Sequence, residues 1–321
     1  MSNTHECRIC NNRAGNRPFV AREMMFGLRD EFEYFECTEC GCIQIAKVPD
    51  NIASYYPPEY YSFAKTRQSN VFRRWVNRHR GLAATGKPSP VGRLLVKCLG
   101  VPPAILWTRR AGVDCDAAIL DVGSGGGIRL LEFQTLGFSN VMGIDPYIDE
   151  DVIVSDTSRV RRCSLDECEG QFDLVMLHHS FEHMTDPLDT MREVRRLIAH
   201  GGCALVRIPV AGSVAWQNYG ADWVQLDAPR HIFLHSVRSI EICAEVAGLR
   251  VADIDFDSTA FQFWGSEQYK RGIPLESEQS FLKGNRSLFK KQDIRRFREH
   301  ADNLNRSQQG DQACFYLRAA G

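Results

Sequence analysis

Hydrophobic positions in the middle of the chain change period several times, from continuous apolar runs to helical spacing. The run Ile119–Val122 predicts a short buried strand. After it, Leu130, Phe133 and Leu136 recur at three-residue intervals until Gly137, which predicts a helix with one buried face and a glycine stop. Similar pairs of apolar runs and helical patterns follow, and this alternation favours an α/β domain with a parallel sheet.

The strand pattern predicts a Rossmann-like sheet of seven strands, mostly parallel. A helix is predicted to begin at Asp186-Pro187, as N-cap and first residue. The last strand is expected to be antiparallel and to complete the sheet. The predicted strands are 119–122, 140–145, a third that ends near 163–166, 172–177, 203–208, 251–257 and 314–318.

The chain is predicted to contain three regions. Residues 1–62 are expected to form a small cysteine-rich domain with a tyrosine-rich linker, and residues 63–112 a basic helical link. The main domain is expected over 113–321. Within it, the aromatic segment 210–231 has the composition of a lid, and 258–312 is expected to be an insertion that covers a pocket or makes a subunit contact.

A glycine turn follows the first predicted strand of the main domain. Gly123, Gly125 and Gly127 would let a ligand approach the backbone closely. Ile128 stands where the dinucleotide fingerprint G-x-G-x-x-G needs its last glycine. Asp121, two residues before the turn, would repel a pyrophosphate and attract a cation. The turn therefore predicts a site for S-adenosylmethionine (SAM), which carries an ammonium and a sulfonium and no phosphate.

The acid at the end of the second predicted strand supports this interpretation, because Asp145 is placed to accept both ribose hydroxyls of a nucleoside. The segments LDVGSGGG, GIDP, FDLVMLHHSFEH and GGCALVRIP, in this order, resemble class I SAM-dependent methyltransferases with an E-H-x-x-D-P element, here 182–187. The resemblance covers about 115–257. The residues expected to bind SAM are Asp121, Gly123, Ser124, Gly125, Gly127, Asp145, Pro146, Leu165 and His178.

Two C-x-x-C pairs near the N-terminus predict a structural zinc site. Cys7 and Cys10 form the first pair, and Cys37 and Cys40 the second. Four thiolates can surround one Zn²⁺ tetrahedrally and leave no open position for chemistry. Cys42 is expected to be a free thiol. A ribbon this small is expected to need the metal for its fold.

Methyltransferases with such a ribbon resemble enzymes that methylate sugars, so the resemblance implies a nucleotide-linked or polysaccharide-linked sugar as acceptor. Tyr60 and Tyr61 are candidates for contact with this acceptor, although they could equally pack as a linker. Trp216 and Trp223 of the expected lid are candidates for stacking on its apolar face. Transfer to carbon or nitrogen stays an alternative to transfer to a hydroxyl.

Histidines supply the candidate catalytic base, because a side chain that titrates near neutral pH can take the proton of an acceptor hydroxyl. His231 is the first candidate, followed by His179 and His178. His183 is expected to anchor the next helix. A metal at these histidines is disfavoured because their spacing is not H-E-x-x-H.

Composition limits the remaining functions. With 39 Lys+Arg against 40 Asp+Glu, the net charge of −1 gives no basic excess for nucleic acid. The polar first residues predict no signal peptide, no apolar run is long enough for a membrane span, and twelve cysteines favour metal or free thiols over disulfides. A cytoplasmic enzyme is expected, with a homodimer left open. The alternative from another class is a non-catalytic module that retains the fold.

Overall fold

The computed structural model describes residues 5–57 and 70–321. Over these residues the strands are β1 Arg17–Arg22, β2 Glu31–Glu36, β3 Ile43–Ile45, β4 Ile119–Val122, β5 Val141–Ile144, β6 Val152–Ser155, β7 Ser158–Arg161, β8 Phe172–His178, β9 Ile198–Pro209, β10 Phe233–Leu234, β11 Leu249–Phe256 and β12 Gln312–Ala319. The helices are α1 Val71–Ala84, α2 Pro90–Leu99, α3 Pro103–Ala111, α4 Ile128–Thr135, α5 Pro187–Leu197, α6 Val214–Tyr219, α7 Val237–Val246, α8 Phe261–Lys270 and α9 Lys291–Arg306.

The main sheet has eight strands in the order β11-β12-β9-β8-β4-β5-β7-β6. The five strands from β9 to β7 are mutually parallel, and β12 is antiparallel between β9 and β11. All seven predicted strands are present, which confirms the Rossmann-like, mostly parallel sheet. The eighth strand, β6, was not predicted; it pairs with β7 as an antiparallel hairpin and extends one edge.

A second sheet joins the N-terminal region to the rest of the chain. It contains β1, β2 and β3 in antiparallel order, and its fourth strand is β10, which pairs with β3. Tyr34, Ile43 and Ile45 of this sheet are fully buried in the hydrophobic cluster that also covers one face of the main sheet. The apolar residues of the ribbon therefore belong to the core of the methyltransferase part.

Local sequence signals place several helices as expected. The Asp186 side chain caps α5 by accepting from the Asp189 amide, with Pro187 as the first residue. The helix α5 stops at Leu197, where β9 begins at once. The described part of the basic link, 70–112, contains the three helices α1, α2 and α3, which agrees with the expected helical link.

The expected lid is packed into the structure. Trp223 is fully buried and its Nε1 donates to the Asp311 carboxylate over 3.0 Å. The Val224 amide donates to Ser266 Oγ of α8, and Trp216 contacts the ring of Phe19 from the ribbon. Segment 210–231 thus lies between the ribbon and the 258–312 insertion and packs against both, as a loop held on the core would.

Among the described residues, none of the helices is by itself both apolar enough and long enough to cross a bilayer. Helices α2 and α3 have the required length and composition only together, and this pair is bent by 113°.

Candidate active site

The glycine turn lies between β4 and α4, at the carboxyl edge of the parallel strands. Ser124 Oγ donates to Asp121 over 2.8 Å. The Gly125 amide donates to the Asp145 carboxylate over 2.8 Å, and the Tyr147 amide donates to its other oxygen over 2.9 Å. The two acids at the ends of β4 and β5 are thus held on the same turn, where a ligand of this fold binds.

The glycines of this turn have a reason beyond ligand approach. Gly123 and Gly127 have φ of +74° and +79°, which side-chain-bearing residues rarely adopt. A Cβ at Gly123 would lie 2.6 Å from Ser180 Cβ, and one at Gly127 would lie 2.6 Å from Val154 Cγ2. At these two positions the missing side chain lets protein pack against protein, a role in addition to the predicted approach of a ligand.

Asp121 is suited to a cationic partner. Burial is the main reason that its pKa rises to about 6, although the Ser124 hydrogen bond opposes the shift. The fold therefore holds a carboxylate that gains from a nearby positive charge. This is the property expected of a group beside the ammonium of SAM.

His178 ends β8 next to the glycine turn, because β8 pairs with β4. Its ring contacts Trp107 of α3 with centroids 4.9 Å apart, and its Nε2 lies 3.3 Å from Arg207. Burial, with the positive charges of Arg129 and Arg207, lowers the pKa of His178 well below its ordinary value. This histidine is neutral and held in place, so it is better suited to lining the SAM site than to taking a proton.

The E-H pair after β8 collects a cluster of polar groups. Glu182 is fully buried, and its Oε1 lies 3.2 Å from His179 Nδ1 and 3.9 Å from His231 Nε2. Its Oε2 has no hydrogen-bond partner among the described residues. Burial opposes ionisation of Glu182, but the hydrogen bond from His179 and the nearby histidines lower its pKa to about 2. The carboxylate is therefore charged and keeps one free acceptor.

His179 is already engaged on both ring nitrogens. Its Nδ1 faces Glu182, and its Nε2 lies 2.6 Å from Arg207 Nη1, which can only donate. Arg207 is in turn held by Asp257 over 2.6 Å. Because its acceptor nitrogen is occupied by an arginine, His179 is a weaker candidate for the base than the sequence suggested.

The imidazole of His231 is held in one tautomer. Its Nδ1 lies 2.7 Å from the Gln225 carbonyl, so this nitrogen must carry the proton. Its Nε2 then has a lone pair, with carboxylate oxygens of Glu182 and Asp227 each 3.9 Å away. The His183 ring lies edge-on at 4.8 Å. Of the three candidate bases, His231 alone has one ring nitrogen on a carbonyl and the other without a cationic partner among the described residues.

His183 does more than anchor the helix. Its Nδ1 lies 2.8 Å from the Arg230 carbonyl and 3.1 Å from Tyr56 Oη. Burial and the neighbouring His231 lower its pKa. One ligand atom each from Glu182, His183 and His231 lie within 4.8 Å of one another, which is close enough to share one divalent cation.

The ribbon holds the loop that carries His231. Arg230 is fully buried and binds Asp227 through two nitrogens, at 3.0 and 2.6 Å, and Glu23 of the ribbon at 2.9 Å. Glu23 is itself fully buried, and Tyr34 Oη donates to the His231 carbonyl over 2.9 Å. No local sequence pattern signals this contact, since its partners are 207 residues apart.

The structure separates the other predicted site residues. Pro146 is exposed. Leu165 is half-buried in a turn, and its backbone carbonyl accepts a hydrogen bond from Arg196. Trp223 cannot stack on an acceptor in this structure because it is fully buried, which corrects its assignment. Tyr60 and Tyr61 lie outside the described residues. Groups that sequence reasoning left out of the site are Tyr56, Glu182, Arg207, Asp227 and Arg230.

The four predicted zinc ligands do come together. Cys7 Sγ lies 3.6 Å from Cys40 Sγ, and Cys10 Sγ lies 3.6 Å from Cys37 Sγ. All four sulfurs lie within 4.8 Å of one another. Zn–S bonds of about 2.3 Å in a tetrahedron require sulfurs about 3.8 Å apart. The geometry therefore fits one zinc ion.

A glycine turn between parallel strands, two acids on it and a histidine cluster beside it define a SAM-dependent methyltransferase of the Rossmann-like class. The chain belongs to the family described as "Methyltransferase domain", whose model matches residues 68–254.

The curated relatives of this chain are named as methyltransferases. A ubiquinone biosynthesis O-methyltransferase of Pseudomonas aeruginosa (strain UCBPP-PA14) is 32% identical over 173 residues, which is 48% of this chain and 73% of that protein. One from Pseudomonas putida (strain W619) is 32% identical over 155 residues, 42% of this chain and 66% of that protein.

Solved structures show weaker likeness. A mycolic acid cyclopropane synthase complexed with SAH is 16% identical with a TM-score of 0.44, covering 69% of this chain and 85% of that one. A methyltransferase in calicheamicin biosynthesis, in its SAH-bound form, is 17% identical with a TM-score of 0.38, covering 58% and 65%.

Proposed function

We propose that this methyltransferase acts on a hydroxyl oxygen of a small molecule, and that His231 takes the proton of that hydroxyl. The tautomer of His231 is the observation that carries the proposal: the Gln225 carbonyl fixes the proton on Nδ1 and leaves Nε2 as an acceptor. A hydroxyl is a poor nucleophile until a base accepts its proton, and such a base contributes about 10²–10⁴-fold to the rate.

Glu182 and Asp227 support this base. Once Nε2 has accepted a proton the ring is cationic, and the two carboxylates 3.9 Å away stabilise that charge. Glu182 Oε2 is a buried acceptor without a partner among the described residues, so a second hydroxyl of the acceptor molecule, other than the one that reacts, is a suitable donor to it. Together these groups would orient the acceptor and hold its proton.

The glycine turn is suited to the donor. Asp121 would meet the ammonium of SAM and Asp145 its ribose, with Ser124 and the Gly123–Gly127 backbone forming the surrounding turn. When bound, SAM supplies an electrophilic methyl group. The chain's own part is to align the acceptor with it and to exclude water, since alignment dominates such a displacement.

Two acceptor classes deserve testing. The resemblance of the cysteine ribbon to sugar methyltransferases favours a sugar hydroxyl, although the burial of Trp223 removes one of the two aromatic residues expected to stack on it. The names of the relatives favour an intermediate of ubiquinone biosynthesis. Both carry the hydroxyl that the site requires, and the same histidine would serve either.

Methyl transfer from labelled SAM to panels of sugar nucleotides, fractionated glycans and ubiquinone-biosynthesis intermediates tests the proposal. With the accepted compound, His231→Gln should lower kcat at least about 100-fold and change the Kd for SAM by only a few fold. His200→Gln, an exposed histidine on β9, is the matched control and should retain activity. Normal turnover by His231→Gln would remove this residue from the role.

We further propose that the four cysteines hold one structural zinc. Their sulfurs have the required spacing, and Gln44 Nε2 donates to Cys7 Sγ over 2.8 Å, as expected beside a thiolate. Elemental analysis should find one zinc per chain, and Cys10→Ser should reduce it and lower the unfolding temperature. Cys98→Ser, which changes an exposed thiol, should do neither. Equal stability of zinc-free and zinc-loaded protein would contradict this role.

A further inference from the structure

Helices α1 and α2 present large apolar side chains to solvent. The exposed fractions are 73% for Val71, 72% for Phe72 and 64% for Leu94. Of the fourteen exposed large hydrophobic residues in the described chain, seven lie between 71 and 106. Scattered exposed apolar residues are ordinary, but such a concentration on helices that pack together, as α1 and α2 do, indicates an interaction site.

The outward face of α2 is a continuous apolar stripe. Val91, Leu94, Leu95 and Cys98 follow the i, i+3, i+4, i+7 spacing, and three of them are exposed while Leu95 is half-buried. The helix is buried only at Gly92, where a Cβ would lie 2.0 Å from the His79 carbonyl of α1. The amphipathic pattern that normally faces a core therefore faces outward here.

The same region is strongly basic. Residues 70–112 contain nine Lys and Arg and no Asp or Glu, in a chain whose net charge is −1. Lys87 and Arg110 are paired with acids elsewhere. None of the described carboxylates lies within ion-pair distance of four others: Arg73, Arg78, Arg93 and Lys97.

We propose that the α1–α2 surface, defined by Val71, Phe72, Trp75, Val91, Leu94 and Leu99, docks on an anionic lipid surface. The apolar side chains would enter the headgroup boundary while the basic ones meet lipid phosphates. Tryptophan, represented by Trp75, is a side chain typical of that boundary. The proposal is independent of the acceptor and of the base.

Charge decides between the candidate occupants. A second copy would bring the same basic side chains, among them Arg73, Arg78, Arg93 and Lys97, close to those of the first copy, which opposes self-association through this region. Nucleic acid would satisfy the charge but gives no reason for Phe72 and Leu94 to be exposed. An anionic bilayer accounts for both features at once.

Vesicle co-sedimentation of the full chain tests the proposal. The protein should bind vesicles of phosphatidylglycerol and phosphatidylcholine, bind less at high salt, and not bind vesicles of phosphatidylcholine alone. The double variant Arg93→Gln/Lys97→Gln should bind about 30-fold more weakly, at about fivefold per basic residue near the surface. Arg296→Gln/Arg298→Gln on α9 removes the same charge elsewhere and should bind like the unaltered protein.

Leu94→Asn tests the apolar part and should weaken vesicle binding without changing SAM affinity. Absence of binding to the anionic vesicles overturns the proposal, as does equal weakening by the α9 control. Light scattering that shows a dimer dissociated by Leu94→Asn, or binding of RNA without binding of vesicles, would assign the surface to another occupant and overturn it as well.

Discussion

Replacing Glu23 of the ribbon by Gln should lower methyl transfer, because Glu23 binds Arg230, the residue directly before His231. Glu23 Oε1 accepts from Arg230 over 2.9 Å and from the Phe26 amide over 2.9 Å, and its Oε2 accepts from the Leu28 amide over 2.9 Å. A glutamine has one acceptor oxygen, so in either orientation its NH₂ faces a buried donor.

The size of the expected loss of stability depends on the ion pair that Arg230 retains after the substitution. Breaking a buried ion pair by removing one partner costs about 3–5 kcal/mol. Arg230 keeps its two bonds to Asp227, so the charge is not left alone. We therefore expect a loss of about 2–3 kcal/mol in the free energy of unfolding. Because His231 follows Arg230 directly, kcat should fall about tenfold or more while the Kd for SAM stays within a few fold.

Urea unfolding and steady-state kinetics measure the two effects. Glu31→Gln is the matched control, since this ribbon glutamate is exposed and paired with Arg22. Its unfolding free energy should change by less than about 1 kcal/mol and its kcat should not change. If Glu23→Gln loses stability but keeps full kcat, the ribbon does not position His231 and the reasoning is refuted.

Three further predictions concern the SAM turn and the buried tryptophan. The Kd for SAM should rise about tenfold per pH unit below about pH 6, where Asp121 becomes protonated, and calorimetry at several pH values measures this dependence. Asp121→Asn should abolish the dependence. It should also stabilise the SAM-free protein at pH 7, because ionisation of a carboxyl whose folded pKa is raised costs stability as pH rises. In urea unfolding, Gly127→Ala should lower the free energy of unfolding by about 2–4 kcal/mol, because its Cβ would clash with Val154. Gly212→Ala has the same φ of +79° but open space around the Cβ, and should lower it by about 1–2 kcal/mol. Trp223→Ala should lower the free energy of unfolding by about 3–5 kcal/mol in the same assay, because the side chain is fully buried. A small decrease would mean that segment 210–231 is a mobile lid.

Local patterns were enough for the parallel sheet and its order of elements. Strand β4, the glycine turn and the start of α5 at Asp186 each depend on residues adjacent in sequence. The zinc-type cluster was also predictable, because the spacing within each cysteine pair is local and only the pairing is distant.

Contacts between distant residues account for the differences. The sequence around Trp223 predicts a lid residue. In the structure its indole N–H donates to Asp311, which lies 88 positions later in the chain. Arg230 is a charged residue without an acid next to it in sequence, and its charge is compensated by Asp227 and Glu23 only in the folded chain. No periodicity or motif can reveal such partners, since burial of a charge is decided by which elements meet in three dimensions.

The two-residue strand β10 has a consequence for how the chain is made. The sheet of the N-terminal ribbon needs Phe233 and Leu234 as its last strand, and β3, to which they pair, ends at Ile45. A ribosome must therefore synthesise most of the enzyme before the first fifty residues can complete their own sheet. Until then Ile43 and Ile45 lack their final cover, and truncated chains that stop before residue 233 should be prone to aggregate.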